Sequence, residues 1–313
     1  MKRILTLFAL AFLLTSCGGG GSSVSSAGGV DYTGNTSQAT ISASNGSILT
    51  SGALGNASST QVFASQSEKG AEEAKFSNHM FVSGLMAGLK KDLENPVMDA
   101  YKSESATAAM ETYTDSATGN CGGSAAYSIS ADTTTGIFSG TITLSDLCEN
   151  QVKVNGTVSF SGKINITTEK LEYFDFNLNR VNFTQNGDSA TIGGTLHITG
   201  SSPIVVTANF VVEENSKTYK LQDTTIKIWD GVSYGQFELS GRFYDHDYGY
   251  VDVVTNTRFK VSNSSYWPYD GKLTITGNNS SATITANNST TYTVVITENN
   301  TVTDTTTHNW SEL

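Results

Sequence analysis

The stretch QVKVNGTVSFSGKINIT, residues 151–167, alternates apolar or glycine residues with polar ones almost without interruption. Successive side chains of a β-strand point to opposite faces, so this period of two predicts a long strand, or two joined at a bend, with one buried face. That face is predicted to contain Val152, Val154, Gly156, Val158, Phe160, Gly162, Ile164 and Ile166. Glycines on a buried face predict sharp bending or the close approach of another element.

Shorter alternating segments follow between residues 190 and 297. Turn signals separate the strands at residues 186–188, 213–215, 230–231, 270–271 and 277–279. Short turns between consecutive strands predict a meander, in which neighbours in sequence pair with each other. We therefore predict a mainly β domain over residues 119–313, with about 10–12 antiparallel up-and-down strands in an open half-barrel or a closed barrel.

Residues 63–118 are predicted to be helical. The first helix has an apolar stripe that recurs every four residues: Phe81, Leu85, Leu89 and Leu93. Asn95 and Pro96 are typical of a helix start, and a second helix would carry Tyr101, Met110 and Tyr113. An apolar stripe needs a surface to cover it, so we expect this helical pair to pack on the sheet.

The chain begins with two basic residues, Lys2 and Arg3, and an apolar run over residues 4–14, which is typical of a secretory signal peptide. The next residues, Leu14-Thr15-Ser16-Cys17, resemble the lipobox of bacterial lipoproteins. The resemblance implies that residues 1–16 are removed and that Cys17 carries acyl chains such as palmitate. Gly18 after the cysteine implies the outer membrane. The domain could face either the periplasm or the cell exterior. An ordinary signal peptide with a remaining cysteine is the alternative.

Residues 17–62 are dominated by Gly, Ser, Ala, Thr and Asn. Such a segment has little apolar surface to bury, so we predict a flexible tether between the lipid anchor and the folded body. Four larger apolar residues indicate that part of it docks on the domain: Ile41, Ile48, Leu49 and Leu54.

With Cys17 assigned to the lipid anchor, Cys121 and Cys148 remain. In an oxidising compartment such a pair is expected to form a disulfide. Closing a loop of 27 residues would stabilise the fold by roughly 3.5 kcal/mol in the chain-entropy treatment. A metal pair is the alternative, although no histidine or further cysteine lies near them in the sequence.

Two clusters are candidate sites. Asp245, His246 and Asp247 are candidate ligands of a divalent metal, or form a solvated hairpin tip. Tyr266, Trp267 and Tyr269 could contact a glycan or a lipid surface, or cover the end of the β core. Residues 231–235 match the GxSxG pattern around Ser233, but the surrounding strands predict a hairpin loop and not a nucleophile elbow.

The sequence contains no HExxH, CxxC or P-loop motif. We therefore predict no enzyme activity, no cofactor and no resident metal. The formal net charge of −11 argues against nucleic acid as a partner.

The run CGGSAAYSISADTTTGIFSGTITLSDLCENQVKVNGTVSFSG and the tail THNWSEL resemble a family of bacterial outer-membrane lipoproteins. The resemblance implies an all-β fold and carries no activity with it. We predict a non-enzymatic envelope lipoprotein with a structural, adhesive or complex-assembly role. Its partners would be the membrane, through the anchor, and another envelope protein or a glycan. A carrier that holds a lipid or other hydrophobic ligand between a curved sheet and the helices is one alternative, and a transmembrane β-barrel is another.

Overall fold

The computed structural model of the protein describes residues 29–54, 111–149, 151–168, 170–185, 187–200, 202–229, 231, 234–262, 265 and 267–312. These residues belong to two compact units. Among the residues that the structure describes, no helix is long and apolar enough to cross a membrane.

The first unit contains residues 29–31 and six antiparallel strands, each of which pairs with the next along the chain. The strands are β1 (Glu111–Thr118), β2 (Ser124–Ala131), β3 (Ile137–Glu149), β4 (Val152–Asn165), β5 (Lys170–Gln185) and β6 (Asp188–Thr199). A seventh strand, β7 (Ile204–Glu214), contributes residues to both units.

The predicted helical segment 63–118 is wrong at its C-terminal end, where β1 pairs with β2 from Glu111 to Thr118. The physical reason is the run of polar and β-branched residues Thr112, Thr114, Ser116 and Thr118, which all lie exposed on one side of a strand. Residues 63–110 of the predicted helical pair lie outside the described residues.

The predicted buried face of β4 is confirmed at Val154, Val158, Phe160, Gly162 and Ile164. The prediction is wrong for Ile166, whose side chain is 51% exposed. Ile166 follows the last residue of β4, at the point where the Asn165 side chain accepts the backbone N–H groups of Thr167 and Thr168 and ends the strand in a turn.

Gly156 marks the predicted bend in this long strand. Its φ of +138° belongs to a region that glycine adopts readily, and the pairing with β5 shifts register between Asn155 and Thr157. A Cβ at this position would lie 2.9 Å from the Val181 Cα. The bend therefore needs glycine both for its backbone angle and for the close approach of β5.

The second unit contains residues 32–54 and seven further strands, again paired antiparallel in chain order. They are β8 (Lys217–Trp229), β9 (Tyr234–Asp245), β10 (Gly249–Ser262), β11 (Pro268–Gly277), β12 (Ser280–Ala286), β13 (Thr291–Glu298) and β14 (Thr301–Asn309). A 3-10 turn, Trp310–Glu312, follows β14.

The predicted fold class is confirmed as mainly β, with antiparallel up-and-down strands. Within the described residues β1 pairs only with β2 and β14 pairs only with β13, so both terminal strands have a free edge. Of the two predicted forms, the open one is therefore observed.

One predicted turn is instead part of a strand. Asp270 and Gly271 lie inside β11, where the pairing with β10 shifts register near Lys260. Gly271 has a φ of +132° and packs against Phe259. The local Asp-Gly signal is thus used for a bulge and not for a hairpin, because alternation resumes on both sides of it.

Residues 32–54 pack on the inner face of the second unit, so the predicted tether is wrong over this range. The Ala39 N–H donates to the Tyr250 carbonyl at 2.8 Å, and the Ala39 carbonyl accepts the Asn278 N–H at 2.7 Å. The Ile41 N–H donates to Ser280 Oγ at 2.7 Å. The segment is polar on average, but its few apolar side chains are placed where the sheet needs a cover.

A short helix, α1 (46–54), completes this cover. Leu49 and Leu54 are buried on it, as the docking prediction requires, and Ile41 is buried before it, whereas Ile48 is 45% exposed. A Cβ on Gly52 would meet the Phe243 ring at 2.5 Å, so the helix backbone lies directly against the side chains of the sheet. Residues 17–28 and 55–62 of the predicted tether lie outside the described residues.

Candidate binding surface

The predicted disulfide between Cys121 and Cys148 is present, with the two Cα atoms 5.0 Å apart. It joins the turn after β1 to the end of β3. The same ends are joined by backbone bonds, from the Cys121 N–H to the Cys148 carbonyl and from the Cys148 N–H to the Gly122 carbonyl. The bond therefore has a structural position at one end of the first three strands. Cys17 lies outside the described residues.

Asp245, His246 and Asp247 form the turn between β9 and β10, and their side chains diverge. Asp245 is buried and its Oδ1 accepts the N–H groups of Asp247 and Tyr248 at 2.9 and 3.1 Å. His246 Nδ1 accepts the Thr218 N–H at 3.1 Å, while Asp247 pairs with Lys217. Nowhere in the described part of the chain are three His, Cys, Asp or Glu side chains grouped to hold a metal ion. The cluster thus holds a hairpin tip together.

The predicted aromatic cluster is divided by the structure. The Trp267 ring stacks on Trp310 with 5.9 Å between centroids, and Trp310 is buried with its Nε1–H donating to the Asn288 carbonyl at 3.0 Å. Tyr292 packs on Trp310 at 4.5 Å, and burial raises the pKa of Tyr292 to about 12. Trp267 therefore covers one end of the β core, whereas Tyr269 is exposed. Tyr266 lies outside the described residues.

The GxSxG residues connect the antiparallel strands β8 and β9, which is the predicted strand–turn–strand setting; Ser233 itself lies outside the described residues. In the first unit, a second acid–histidine pair is formed by Asp175 and His197 on neighbouring strands. Ser161 is opposite Asp175 on the other side. The carboxylate therefore lies between serine and imidazole, whereas a nucleophilic triad requires the imidazole in that place.

A concentration of charge and aromatic rings lies on the outward-facing side of β8–β11, which we call the basic–aromatic face. Its basic residues are Lys220, Lys227, Arg242, Arg258, Lys260 and Lys272. Its acidic residues are Asp223, Glu238, Asp252 and Asp270, and its aromatic residues are Trp229, Tyr234, Tyr250 and Tyr269. The whole chain has 18 basic and 29 acidic residues, so this face reverses the overall charge balance.

Strand register brings these side chains together. Lys227 is opposite Glu238 across β8 and β9, and Trp229 is opposite Gln236 in the next row. Lys260 on β10 is opposite both Gln236 and Asp270. Because adjacent strands lie about 4.8 Å apart, residues in one row are direct neighbours.

Three of the basic side chains have one carboxylate partner each. Arg258 Nε donates to Glu238 at 2.7 Å, and Lys260 Nζ donates to Asp270 at 2.6 Å. Arg242 donates twice to Asp252, at 2.7 and 3.2 Å. These bonds raise the pKa values of Arg242 and Lys260 and lower the pKa of Asp270.

Aromatic rings lie beneath the cations. The Arg258 guanidinium is 3.8 Å from the centre of the Trp229 ring, and that of Arg242 is 3.9 Å from the centre of the Tyr250 ring. Lys220 Nζ lies 5.0 Å from the centre of the Tyr244 ring. Burial lowers the pKa of Lys220, the nearby carboxylate of Asp223 opposes this shift, and the charge of Arg242 adds to it. Such stacking holds the positive groups at fixed positions on the sheet.

The outward-facing side of β12–β14 differs. We call it the threonine face, after Thr283, Thr285, Thr293, Thr297, Thr305 and Thr307. These residues also lie in rows, with Thr285 opposite Thr293 and Thr293 opposite Thr307. The hydroxyl oxygens of Thr293 and Thr307 are 3.2 Å apart. This face is polar and nearly uncharged.

Sequence reasoning missed the basic–aromatic face. A local signal exists, since Lys227 and Trp229 in β8, and Arg258 and Lys260 in β10, alternate with buried residues. The distance between the two strands in the sequence hides their proximity, which depends on the pairing of both with β9.

Comparisons with known proteins identify no relative: no protein-family model, no curated protein and no solved structure matches the chain.

Proposed function

We propose that the protein is a bacterial lipoprotein, held at the outer membrane by an acylated Cys17, with a non-enzymatic role in the cell envelope. The observation that carries the proposal is the Cys121–Cys148 disulfide. It accounts for two of the three cysteines in the chain, so that Cys17 remains for the lipid. Disulfides of this kind are formed in oxidising compartments, which agrees with export by the signal peptide.

The position of Cys17 adds support. It follows the Leu-Thr-Ser of the lipobox and precedes a run of glycines. Two or more acyl chains would anchor the protein stably, at ~0.8 kcal/mol per buried CH2.

The test is metabolic labelling with an alkyne analogue of palmitate, followed by detergent phase partition and mass spectrometry of the N-terminal peptide. We expect label on the natural chain and loss of label in Cys17→Ala. The double variant Cys121→Ser/Cys148→Ser is the matched control, since it also removes thiols but should keep the label. An unlabelled natural chain, or label that persists in Cys17→Ala, would disprove the anchor.

A second candidate function, the carriage of a hydrophobic ligand, is supported by the first unit. Its inner face carries a cluster of fully buried aromatic rings, Phe138, Phe160, Phe174 and Phe176, with centroids 4.0–6.4 Å apart in neighbouring pairs. The described residues of this unit form strands of one layer and their connections. These rings are at most 2% exposed within the chain itself, so a ligand would have to lie between them and the protein atoms that cover them.

In the second unit, the described residues of α1 and the sheet leave only a small cavity between them. A cavity lined by Ala53, Leu239, Phe243 and Val253 has a volume of about 10 Å³, which is room for roughly one water molecule. The carrier function is therefore tested on the first unit. Organic extraction of the purified chain and mass spectrometry should yield a lipid in near-stoichiometric amount. Extracts that contain none would eliminate the carrier.

A further inference from the structure

We propose that the basic–aromatic face of β8–β11 is a binding site for an acidic glycan. This inference goes beyond the envelope role by naming the chemistry of a partner, and it does not depend on the lipid anchor. It is carried by three properties of the face: its positive charge, its exposed aromatic rings and the carboxylates between the cations.

The charge is concentrated and only partly neutralised. Within the described residues, Lys227 and Lys272 make no salt bridge, and they lie on either side of the Arg258–Glu238 pair. Lys220 lies near Asp223 and Arg242, whose charges act on it in opposite directions, and the Asp252 carboxylate is engaged twice by Arg242. An anion at these positions would gain attraction from cations that the fold holds in place.

The aromatic rings distinguish a sugar from a bare anion. Tyr234 and Tyr269 are 38% and 37% exposed, and they lie on β9 and β11, the two strands that pair with β10 and its Lys260. Tyr234 on β9 and Tyr269 on β11 are two strand spacings apart, roughly 10 Å, which is about the length of a disaccharide. Exposed rings on a rigid sheet offer flat apolar surfaces on which sugar rings stack.

The carboxylates favour a glycan over an anionic membrane or a nucleic acid. Glu238, Asp252 and Asp270 alternate with the cations, so a continuous row of phosphates would meet repulsion at every second position. Sugar hydroxyls are hydrogen-bond donors as well as acceptors, and they would use these carboxylates as partners. The formal charge of −11 on the whole chain also disfavours long polyanions, whereas a short acidic segment is screened from distant charges beyond about 8 Å at physiological salt.

The experiment measures binding of two acidic oligosaccharides, pentagalacturonate and a heparin-derived hexasaccharide, to the full chain carrying Cys17→Ala. Calorimetry at low and at physiological salt gives the affinities. We expect at least one of the two to bind, with affinity that falls as salt is added. Neutral maltopentaose, pentaglutamate and vesicles with anionic lipid should each bind at least about tenfold more weakly.

Variants locate the site. Lys227→Gln/Lys272→Gln should weaken binding of the acidic oligosaccharide by roughly fivefold to tenfold. The matched control, Lys153→Gln/Lys170→Gln, removes the same charge from exposed positions of β4 and β5 and should change the affinity less than about twofold. Circular dichroism confirms that both double variants are folded.

Three outcomes would overturn the proposal. They are no binding of either acidic oligosaccharide, equal loss of affinity in the two double variants, and equal or tighter binding of vesicles or pentaglutamate. Because the measurement uses the Cys17→Ala chain, a failure of the lipid-anchor proposal would leave it unchanged. Conversely, a lack of oligosaccharide binding would not affect the test of lipid attachment at Cys17.

Discussion

The basic–aromatic face and the threonine face belong to consecutive strands of the same unit, and buried apolar side chains lie beneath both. Phe237 and Phe259 are buried under the first, and Ile284 and Val294 under the second. Threonine on an exposed strand is explained by β-propensity alone. The lysines and arginines of the first face have no such explanation. This difference in charge is the reason for proposing the binding site on the first face.

The largest expected effects on folding stability come from truncating buried side chains beneath the two outer faces. Phe259→Ala should destabilise the fold by about 3–5 kcal/mol and Ile284→Ala by about 2–5 kcal/mol, because each leaves a cavity in a packed core. Their outward neighbours serve as controls: Arg258→Ala and Thr283→Ala should each cost less than about 1 kcal/mol. Denaturant unfolding measures all four. A cost for Arg258→Ala as large as that for Phe259→Ala would contradict the assignment of the two faces.

The next effect concerns the segment that covers these inner faces. Leu49→Ala should cost about 2–4 kcal/mol, because Leu49 is fully buried between α1 and the sheet. Ile48→Ala changes an adjacent residue of similar size that is 45% exposed, and should stay within about 1 kcal/mol. Thermal unfolding of the two variants tests whether residues 32–54 are part of the core. Equal melting temperatures of the two variants would mean that this segment is a tether, as the sequence predicts, and not part of the core.

A smaller effect sharpens the comparison of the outer faces. Thr283→Lys/Thr305→Lys adds two cations to the threonine face, where the side chains of one row flank Val295. We expect a stability change under about 1 kcal/mol and no gain in affinity for the acidic oligosaccharides, since the new cations have no aromatic ring or carboxylate between them. Calorimetry measures the affinity. A gain equal to that lost in Lys227→Gln/Lys272→Gln would mean that charge alone governs binding.

The smallest effect is the pH dependence of the Lys260–Asp270 pair. The hydrogen bond from Lys260 lowers the pKa of Asp270 below its usual 3.8, so the pair stabilises the fold above pH 3.8 and this stability is lost as pH falls through the lowered value. The pair is exposed, which limits its contribution to a few tenths of a kcal/mol. Asp270→Asn should therefore slightly narrow the difference in melting temperature between pH 7 and pH 3. A wider difference in melting temperature would contradict the stated direction of the Asp270 pKa shift.

Much of the fold follows from local patterns. The alternation in β4 predicts the buried side of the strand: Val152 and Gly156 are half-buried, the other predicted residues of β4 are buried, and Ile166 is exposed where the strand has ended. Gly156 is predicted as a bend and is one. The burial of residues 32–54 is harder to predict, because their average composition is polar. It depends on where a few apolar side chains meet the sheet and not on how many there are.

The candidate surface was the least accessible to sequence reasoning. Tyr269 was grouped with Trp267 because the two are close in sequence, yet one is exposed beside Lys260 and the other covers the core end on Trp310. Asp270 and Gly271 indicated a turn and instead form a bulge in β11. In each case a contact with a distant strand decided the outcome.

The sequence alone determined the strand content, the inward side of each clear strand, most of the turns and the pair of cysteines that join. These properties depend on backbone geometry over a few residues, which repeats every two positions along a strand. Only the tertiary structure decided that residues 32–54 cover the second unit and that Lys227, Glu238 and Arg258 share one row. Lateral register depends on bulges and on pairing between segments far apart in the chain, and a shift of one residue would place these side chains on the opposite face.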